Sequence, residues 1–102
     1  MTKRWYCGTV DHCCRLFVRN KDIVLDESTA DYRNWVAVKN VYEKSNEHTK
    51  EIIDFIFKQF DEETRVDERI ELYSAMNRTK SSFVWRIIND FETKVAKERG
   101  LI

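Results

Sequence analysis

Apolar residues recur at helical spacing along most of the chain after residue 28. Between residues 47 and 60, large apolar side chains fall on one face of a helix and charged side chains fall mostly on the other, which predicts an amphipathic helix. The apolar positions are Ile52, Ile53, Ile56, Phe57 and Phe60. Ser45 and Asn46 can each cap this helix, since both side chains accept hydrogen bonds from backbone N–H groups.

The same spacing predicts three more helices. One covers about residues 29 to 44, where Ser28 followed by Asp31 resembles a capping box. A shorter helix is predicted from Thr64, as its cap, to about residue 76, and a longer one from about residue 80 to 98, ending before Gly100. The tight turn between these two helices contains Asn77, Arg78 and Thr79.

The last predicted helix divides into two faces at roughly 100° per residue. The face predicted to be buried contains Val84, Ile87, Ile88, Phe91 and Val95. The opposite face is wholly polar and contains Ser82, Arg86, Asn89, Thr93 and Lys97.

The first 28 residues show no clear helical periodicity. Two β-friendly pieces, Leu16-Phe17-Val18 and Ile23-Val24-Leu25, flank the polar run Arg19-Asn20-Lys21-Asp22. This pattern predicts either an irregular segment or a short β-hairpin.

Together the elements predict a mainly α fold, a small helical bundle in a single domain over residues 1–102 with a helix-turn-helix at about residues 65–98. A chain of 102 residues with 42% apolar residues can bury one modest core. The absence of proline and the presence of only two glycines favour ordered helix. No apolar run approaches the roughly 20 residues that a membrane span needs, and no signal peptide is recognisable. We therefore expect a cytoplasmic protein without membrane association.

The three cysteines lie at Cys7, Cys13 and Cys14. Their odd number, without an export signal, argues against disulfides. With His12 they supply four potential zinc ligands, but all lie within eight residues, whereas structural zinc sites draw ligand pairs from separate elements. No third group can be assigned to orient a Cys–His pair for nucleophilic catalysis. We therefore predict no metal, no cofactor and no enzymatic activity.

Charge is distributed unevenly although the net charge is zero. Residues 46–76 contain four Lys/Arg and nine Asp/Glu, whereas residues 77–102 contain six and three. Basic, hydroxyl and amide side chains are concentrated around the start of the last helix, at Arg78, Lys80, Ser81, Ser82, Arg86 and Asn89. Such side chains donate hydrogen bonds to phosphates and reach base edges, as they do in the recognition helix of a helix-turn-helix.

The chain resembles a known family over about residues 36–102. The matching pieces include the hydroxyl pair Ser81-Ser82 followed by Trp85-Arg86-Ile87, where the family has Tyr-Arg-Leu or His-Arg-Ile. Further matches lie at residues 38–42 with Ser45, at residues 50–57, and at residues 91–101, which end in Gly100-Leu101. In these pieces the chain is similar to RinA- and ArpU-type phage transcriptional regulators, whose DNA-binding part is similar to region four of bacterial sigma factors. It departs from them at Asn77 or Arg78, which occupies a position where a small residue or glycine is usual.

The resemblance implies a sequence-specific regulator of phage late or packaging genes, acting in the cytoplasm of the host bacterium. It places Ser81, Ser82 and Arg86 in the major groove of double-stranded DNA. Arg78, Lys80 and Asn89 would lie nearby, on phosphates or base edges. The acidic middle of the chain would then contact host RNA polymerase or a second copy of the chain in a homodimer.

A second hypothesis stays open at this point. The chain could instead be a small phage protein-interaction module, either an inhibitor of a host protein or an assembly factor, that uses a helical fold without binding DNA. The neutral net charge, the acidic middle and the unassigned N-terminal segment favour this hypothesis. The basic, hydroxyl-rich start of the last helix favours the regulator.

Overall fold

Five α-helices and no β-strand are found in residues 5–23 and 25–102, the part of the chain that this computed structural model describes. They are α1 (Cys7–Arg19), α2 (Ala30–Glu43), α3 (Glu47–Phe57), α4 (Val66–Asn77) and α5 (Ser81–Arg99). The prediction of a mainly α fold is therefore confirmed. None of these helices is long and apolar enough to cross a membrane.

Residues 7–19 form a helix, so the predicted hairpin is wrong, and an irregular segment is found after this helix, at residues 20–23 and 25–29. Val10, Cys13, Cys14 and Phe17 all point into the core, and their spacing of three and four residues is that of one helix face. The polar run that resembled a turn contains the end of α1, where the Asn20 side chain donates to Leu16 O at 2.9 Å. Val24, in the second β-friendly piece, lies outside the described residues.

Side-chain caps explain where two of the helices begin. The cap of α2 is Thr29 rather than Ser28, and its hydroxyl accepts from the Tyr32 N–H at 3.1 Å. Of the two candidates before α3, Asn46 is the cap, and its side chain accepts from the Thr49 N–H at 2.8 Å. Each bond satisfies one backbone donor that the first turn of a helix leaves unpaired.

Two other predicted ends differ from the structure. α3 stops at Phe57 rather than at residue 60, and α4 begins after Arg65 without a side-chain cap, so Thr64 is not its cap. The Thr64 hydroxyl instead accepts from Arg69 Nε at 3.0 Å. At the other end of the chain, α5 does end before Gly100, which adopts the left-handed conformation with φ 80°.

All five helices contribute side chains to one hydrophobic core. The predicted apolar stripe of α3 supplies Ile52, Ile53, Ile56 and Phe57, all fully buried. The predicted inner face of α5 is buried at Val84, Ile88, Phe91 and Val95, and Ile87 is half-buried beside them.

On the opposite face of α5, Ser82, Arg86 and Lys97 are exposed, whereas the predicted exposure is wrong for Asn89 and Thr93, which are half-buried. The Thr93 hydroxyl lies 3.1 Å from the hydroxyl of Tyr6.

A buried arginine anchors the segment between α3 and α4. The Arg69 side chain is fully buried, and its guanidinium donates to the backbone carbonyls of Ile56 at 2.8 Å and Lys58 at 2.9 Å. The same group lies over the Phe60 ring, with 4.3 Å between Cζ and the ring centroid. Arg69 thus satisfies carbonyls that the end of α3 leaves without helical partners.

Glu63 joins this arginine to a second one. Its carboxylate pairs with Arg69 at 3.1 Å and with Arg19 at 2.9 Å. Arg19 also donates to Phe57 O at 3.3 Å, so α1 and α4 both hold the end of α3. We call Arg19, Glu63 and Arg69 the arginine clasp.

Candidate nucleic-acid interface

Three residues, 78–80, connect α4 to α5. Arg78 adopts the left-handed conformation, with φ 52° and ψ 41°, and the backbone N–H groups of Arg78 and Thr79 both donate to Ser74 O. Glycine is the usual residue in this conformation because a side chain strains it by roughly 1–2 kcal/mol. Arg78 is therefore a left-handed turn residue at a position that favours glycine.

The N-terminus of α5 is suited to an anion. No side chain caps it, and its first turn contains no acidic residue. Lys80 precedes the helix as its N-cap residue. Because the first N–H groups of a helix lack helical acceptors and carry a partial positive charge, such an end favours phosphate.

Four of the six predicted site residues are exposed together at this end of the molecule. They are Arg78, Lys80, Ser82 and Arg86. Ser81 and Asn89 are half-buried, and Thr93 donates to Asn89 O at 2.8 Å. Ser82 and Arg86 are four residues apart and share a helix face, so they project in a common direction.

The cations at this end lack an ion pair, whereas seven of the thirteen other lysines and arginines in the described part of the chain have one. Arg78, Lys80 and Arg86 have no carboxylate within ion-pairing distance among residues 5–23 and 25–102. Elsewhere, carboxylates pair with Arg19, Lys21, Lys39, Lys50, Arg65, Arg69 and Lys94. The positive charge beside the start of α5 is thus not neutralised by an ion pair with any carboxylate of the described residues.

Apolar side chains are also exposed near this surface, and sequence reasoning did not single them out. Phe83, in the first turn of α5, is 42% exposed and lies 5.9 Å from the His48 ring, centroid to centroid. On α4, Leu72 and Met76 are 45% and 64% exposed and share one helix face. Exposed apolar residues of this kind can contact a thymine methyl group or another protein.

The cysteines are part of the core. Cys13 and Cys14 are fully buried, Cys7 is half-buried, and all three are free thiols. Burial raises the pKa of Cys14 well above its usual value, and the Glu92 and Asp11 carboxylates raise it further. A raised pKa keeps the thiol protonated and weakly nucleophilic near neutral pH. Within the described ranges, no three His, Cys, Asp or Glu side chains are grouped so that they could hold a metal ion.

A second basic feature was not recognised in the sequence. Lys44, after α2, and Lys97, in α5, line a common cleft. They are 53 residues apart, and the packing of α2 against α5 brings them together. A single sequence contains no signal for such a pairing.

Comparison with known proteins adds no assignment to these surfaces. No protein-family model, no curated protein and no solved structure matches the chain. The function is therefore argued from the chemistry of the surface itself.

Proposed function

We propose that this protein is a sequence-specific DNA-binding transcriptional regulator of the phage type. It would bind double-stranded DNA through residues 78–80 and the first half of α5. The observation that carries this proposal is the set of exposed, unpaired cations, Arg78, Lys80 and Arg86, around a helix N-terminus that has neither a side-chain cap nor an acidic residue. That combination presents positive charge and free donors to one phosphate-rich partner.

The side chains divide into two roles. Arg86 lies in the second turn of α5, where residues of a recognition helix reach base edges, and its guanidinium can donate two hydrogen bonds to guanine. Ser82, one turn earlier on the same face, can donate its hydroxyl to a base or a phosphate. Arg78 and Lys80 precede the helix and would bind phosphates, which position the helix without reading the sequence.

The wider biological role rests on the resemblance to the RinA and ArpU regulators. On that basis the protein would act on late or packaging genes in the cytoplasm of the host. The exposed face of α4 contains Glu68, Glu71, Leu72 and Met76, and it would be the surface for host RNA polymerase or for a second copy of the chain.

Selection from a random-sequence duplex library tests the proposal without knowledge of the target. We expect one sequence to be enriched. Arg86→Gln should lower the preference for that sequence by about 1–3 kcal/mol, and Lys80→Gln should weaken all duplexes alike. Arg65→Gln is the matched control, because Arg65 is exposed but paired with Asp67 and Glu68. Enrichment of no sequence, or equal behaviour of all three variants, would contradict the proposal.

The exposed apolar residues favour the alternative, a protein-interaction module that binds no DNA. Leu72 follows Glu71 and lies one turn from Glu68 on α4, and acidic neighbours suit a protein surface better than a phosphate backbone. Leu72→Ser with Met76→Ser should leave binding of a duplex to a single copy of the chain unchanged if the regulator proposal is right. If the chain binds no duplex but captures a host protein through these two residues, the alternative is supported.

A further inference from the structure

A cleft lies between the end of α2 and the C-terminal half of α5. Its volume is about 310 Å³, and its lining residues are Asn40, Val41, Lys44, Ser45, Lys94, Lys97 and Glu98. Two side-chain hydrogen bonds join the helices that form it. Asn40 Nδ2 donates to Glu98 Oε2 at 3.1 Å, and Arg99 Nε donates to Asn34 Oδ1 at 2.6 Å. These bonds hold the two walls in place, so the cleft does not have to form when a ligand arrives.

The charge of the cleft is positive. Three lysines and one glutamate line it, which gives a formal charge of 3 − 1 = +2. Among residues 5–23 and 25–102, neither Lys44 nor Lys97 has a carboxylate at ion-pairing distance, whereas Lys94 pairs with Asp90 at 3.1 Å. Glu98 is held against the wall by Asn40 and makes no ion pair with these lysines.

Other polar groups in the cleft indicate which ligand it accepts. The Ser45 hydroxyl donates to Val41 O at 2.8 Å, so its proton is already used within the protein. The donors that remain are lysine ammonium groups, which bind phosphate as point charges rather than in one fixed geometry. The chemistry therefore favours a phosphate group and contains little that would recognise the rest of a small molecule.

Arg86 of the proposed DNA surface and Lys97 of the cleft lie on the same side of α5, with Asn89, Asp90 and Thr93 between them in the helix. Arg86 and Lys97 are 11 residues apart, which places them about 20° apart around α5 at roughly 100° per residue. Along the axis they are separated by roughly 16 Å at 1.5 Å per residue, or about five base-pair steps of 3.4 Å. A duplex that lies along this side of α5 from Arg86 would therefore reach the position of Lys97.

We propose that Lys44 and Lys97, with Lys94 beside them, bind backbone phosphates of the same duplex in this cleft. The inference rests on the proposed function and deepens it, because it adds a second phosphate contact from a different helix. The contact is independent of base sequence and fixes how the duplex lies along α5.

The test is binding of a 20-base-pair duplex of mixed sequence between about 50 and 200 mM salt, where each phosphate contact adds about 0.9 to the slope of log affinity against log salt. Lys44→Gln with Lys97→Gln should make the slope shallower by about 1.8. Lys39→Gln with Lys50→Gln is the matched control, because it removes the same charge from lysines that pair with Glu43 and Glu47. Lys44→Arg with Lys97→Arg should keep the wild-type slope.

The outcomes distinguish a failure of the cleft proposal from a failure of the proposed function. If the wild-type chain binds no duplex, the proposed function fails and this inference fails with it. If Lys80→Gln with Arg86→Gln reduces the slope but the cleft variant matches its control, only the cleft proposal is overturned. The cleft proposal is equally overturned if 10 mM inorganic phosphate shifts the amide signals of Lys44 and Lys97 while the cleft variant keeps the full duplex slope, since the site then binds a small anion alone.

Discussion

Two groups of cations in this molecule have the same chemistry and opposite surroundings. In the arginine clasp, Arg69 is fully buried and both arginines donate to carbonyls and to Glu63. Beside the start of α5, Arg78, Lys80 and Arg86 are exposed and unpaired within the described residues. The first group stabilises the fold through seven side-chain hydrogen bonds, three from Arg19 and four from Arg69. The second group does little for the fold, so its charge is available to a partner.

The largest effect is expected from breaking the clasp. Arg69→Met should lower the free energy of unfolding by about 3–5 kcal/mol, because it removes four hydrogen bonds of a buried guanidinium and leaves the Ile56 carbonyl without its side-chain donor. Urea denaturation measures this loss. Arg65→Met is the control in the same segment, with a side chain 77% exposed, and should cost less than about 1 kcal/mol. Equal losses would mean that Arg69 is not buried as described.

Core truncations test whether the arginine clasp and the exposed face of α5 are supported by the same hydrophobic core. Phe57, at the end of α3 beside the clasp, and Ile88, beneath the exposed face of α5, are both fully buried. Phe57→Ala and Ile88→Ala should each lower the free energy of unfolding by about 2–5 kcal/mol. A loss under about 0.5 kcal/mol in either variant would show that the helix face concerned is wrongly assigned.

Burial of the Cys14 thiol should make the stability of the fold depend on pH. Because burial raises the pKa of Cys14 in the folded chain, the unfolded chain loses that proton first. The contribution of the protonated Cys14 thiol to the free energy of unfolding is therefore fully present below about pH 8.5. It is lost as pH rises toward the folded pKa, by at most about 1.4 kcal/mol per pH unit. Unfolding measured from pH 7 to 10 should show a shallower decline for Cys14→Ala. Identical slopes would contradict the burial of this thiol.

The smallest effect is expected at Arg78, where one substitution should change stability and duplex binding in opposite directions. Arg78→Gly should raise the free energy of unfolding by about 1 kcal/mol, because glycine adopts the left-handed conformation without strain. The same change should weaken duplex binding, since it removes one of the unpaired cations. Lys80→Gly removes a cation from a residue with φ −75° and should weaken binding without this gain in stability. A loss of stability in Arg78→Gly would show that the turn is not left-handed there.

Most of the fold could be predicted from the sequence because helical periodicity is a local signal. The inner faces of α3 and α5 and the stop at Gly100 were predicted from spacing alone. The error at α1 has a physical cause. Cys13 and Cys14 behave as small apolar residues, and counting them with Val10 and Phe17 would have completed a helical stripe.

The candidate site could be predicted only in part. The exposed residues Arg78, Lys80, Ser82 and Arg86 follow from their positions around a single helix start. The clasp and the cleft depend on tertiary packing, which brings Arg19 to Glu63 and Lys44 to Lys97. Because arginine is rarely buried, exposure is the default expectation for every arginine in a sequence. The burial of Arg69 therefore could not be predicted from the sequence.

If the proposed function is right, the unpaired cations beside α5, and not those of the arginine clasp, bind DNA. The most direct measurement is the change in backbone amide NMR signals when a mixed-sequence duplex is added at about 50 mM salt. We expect the amide signals of residues 78–86 and of Lys97 to shift. The amide signals of Arg19, Glu63 and Arg69 should not shift. Shifts confined to Leu72 and Met76 on α4, or no shift at all, would contradict the proposed function.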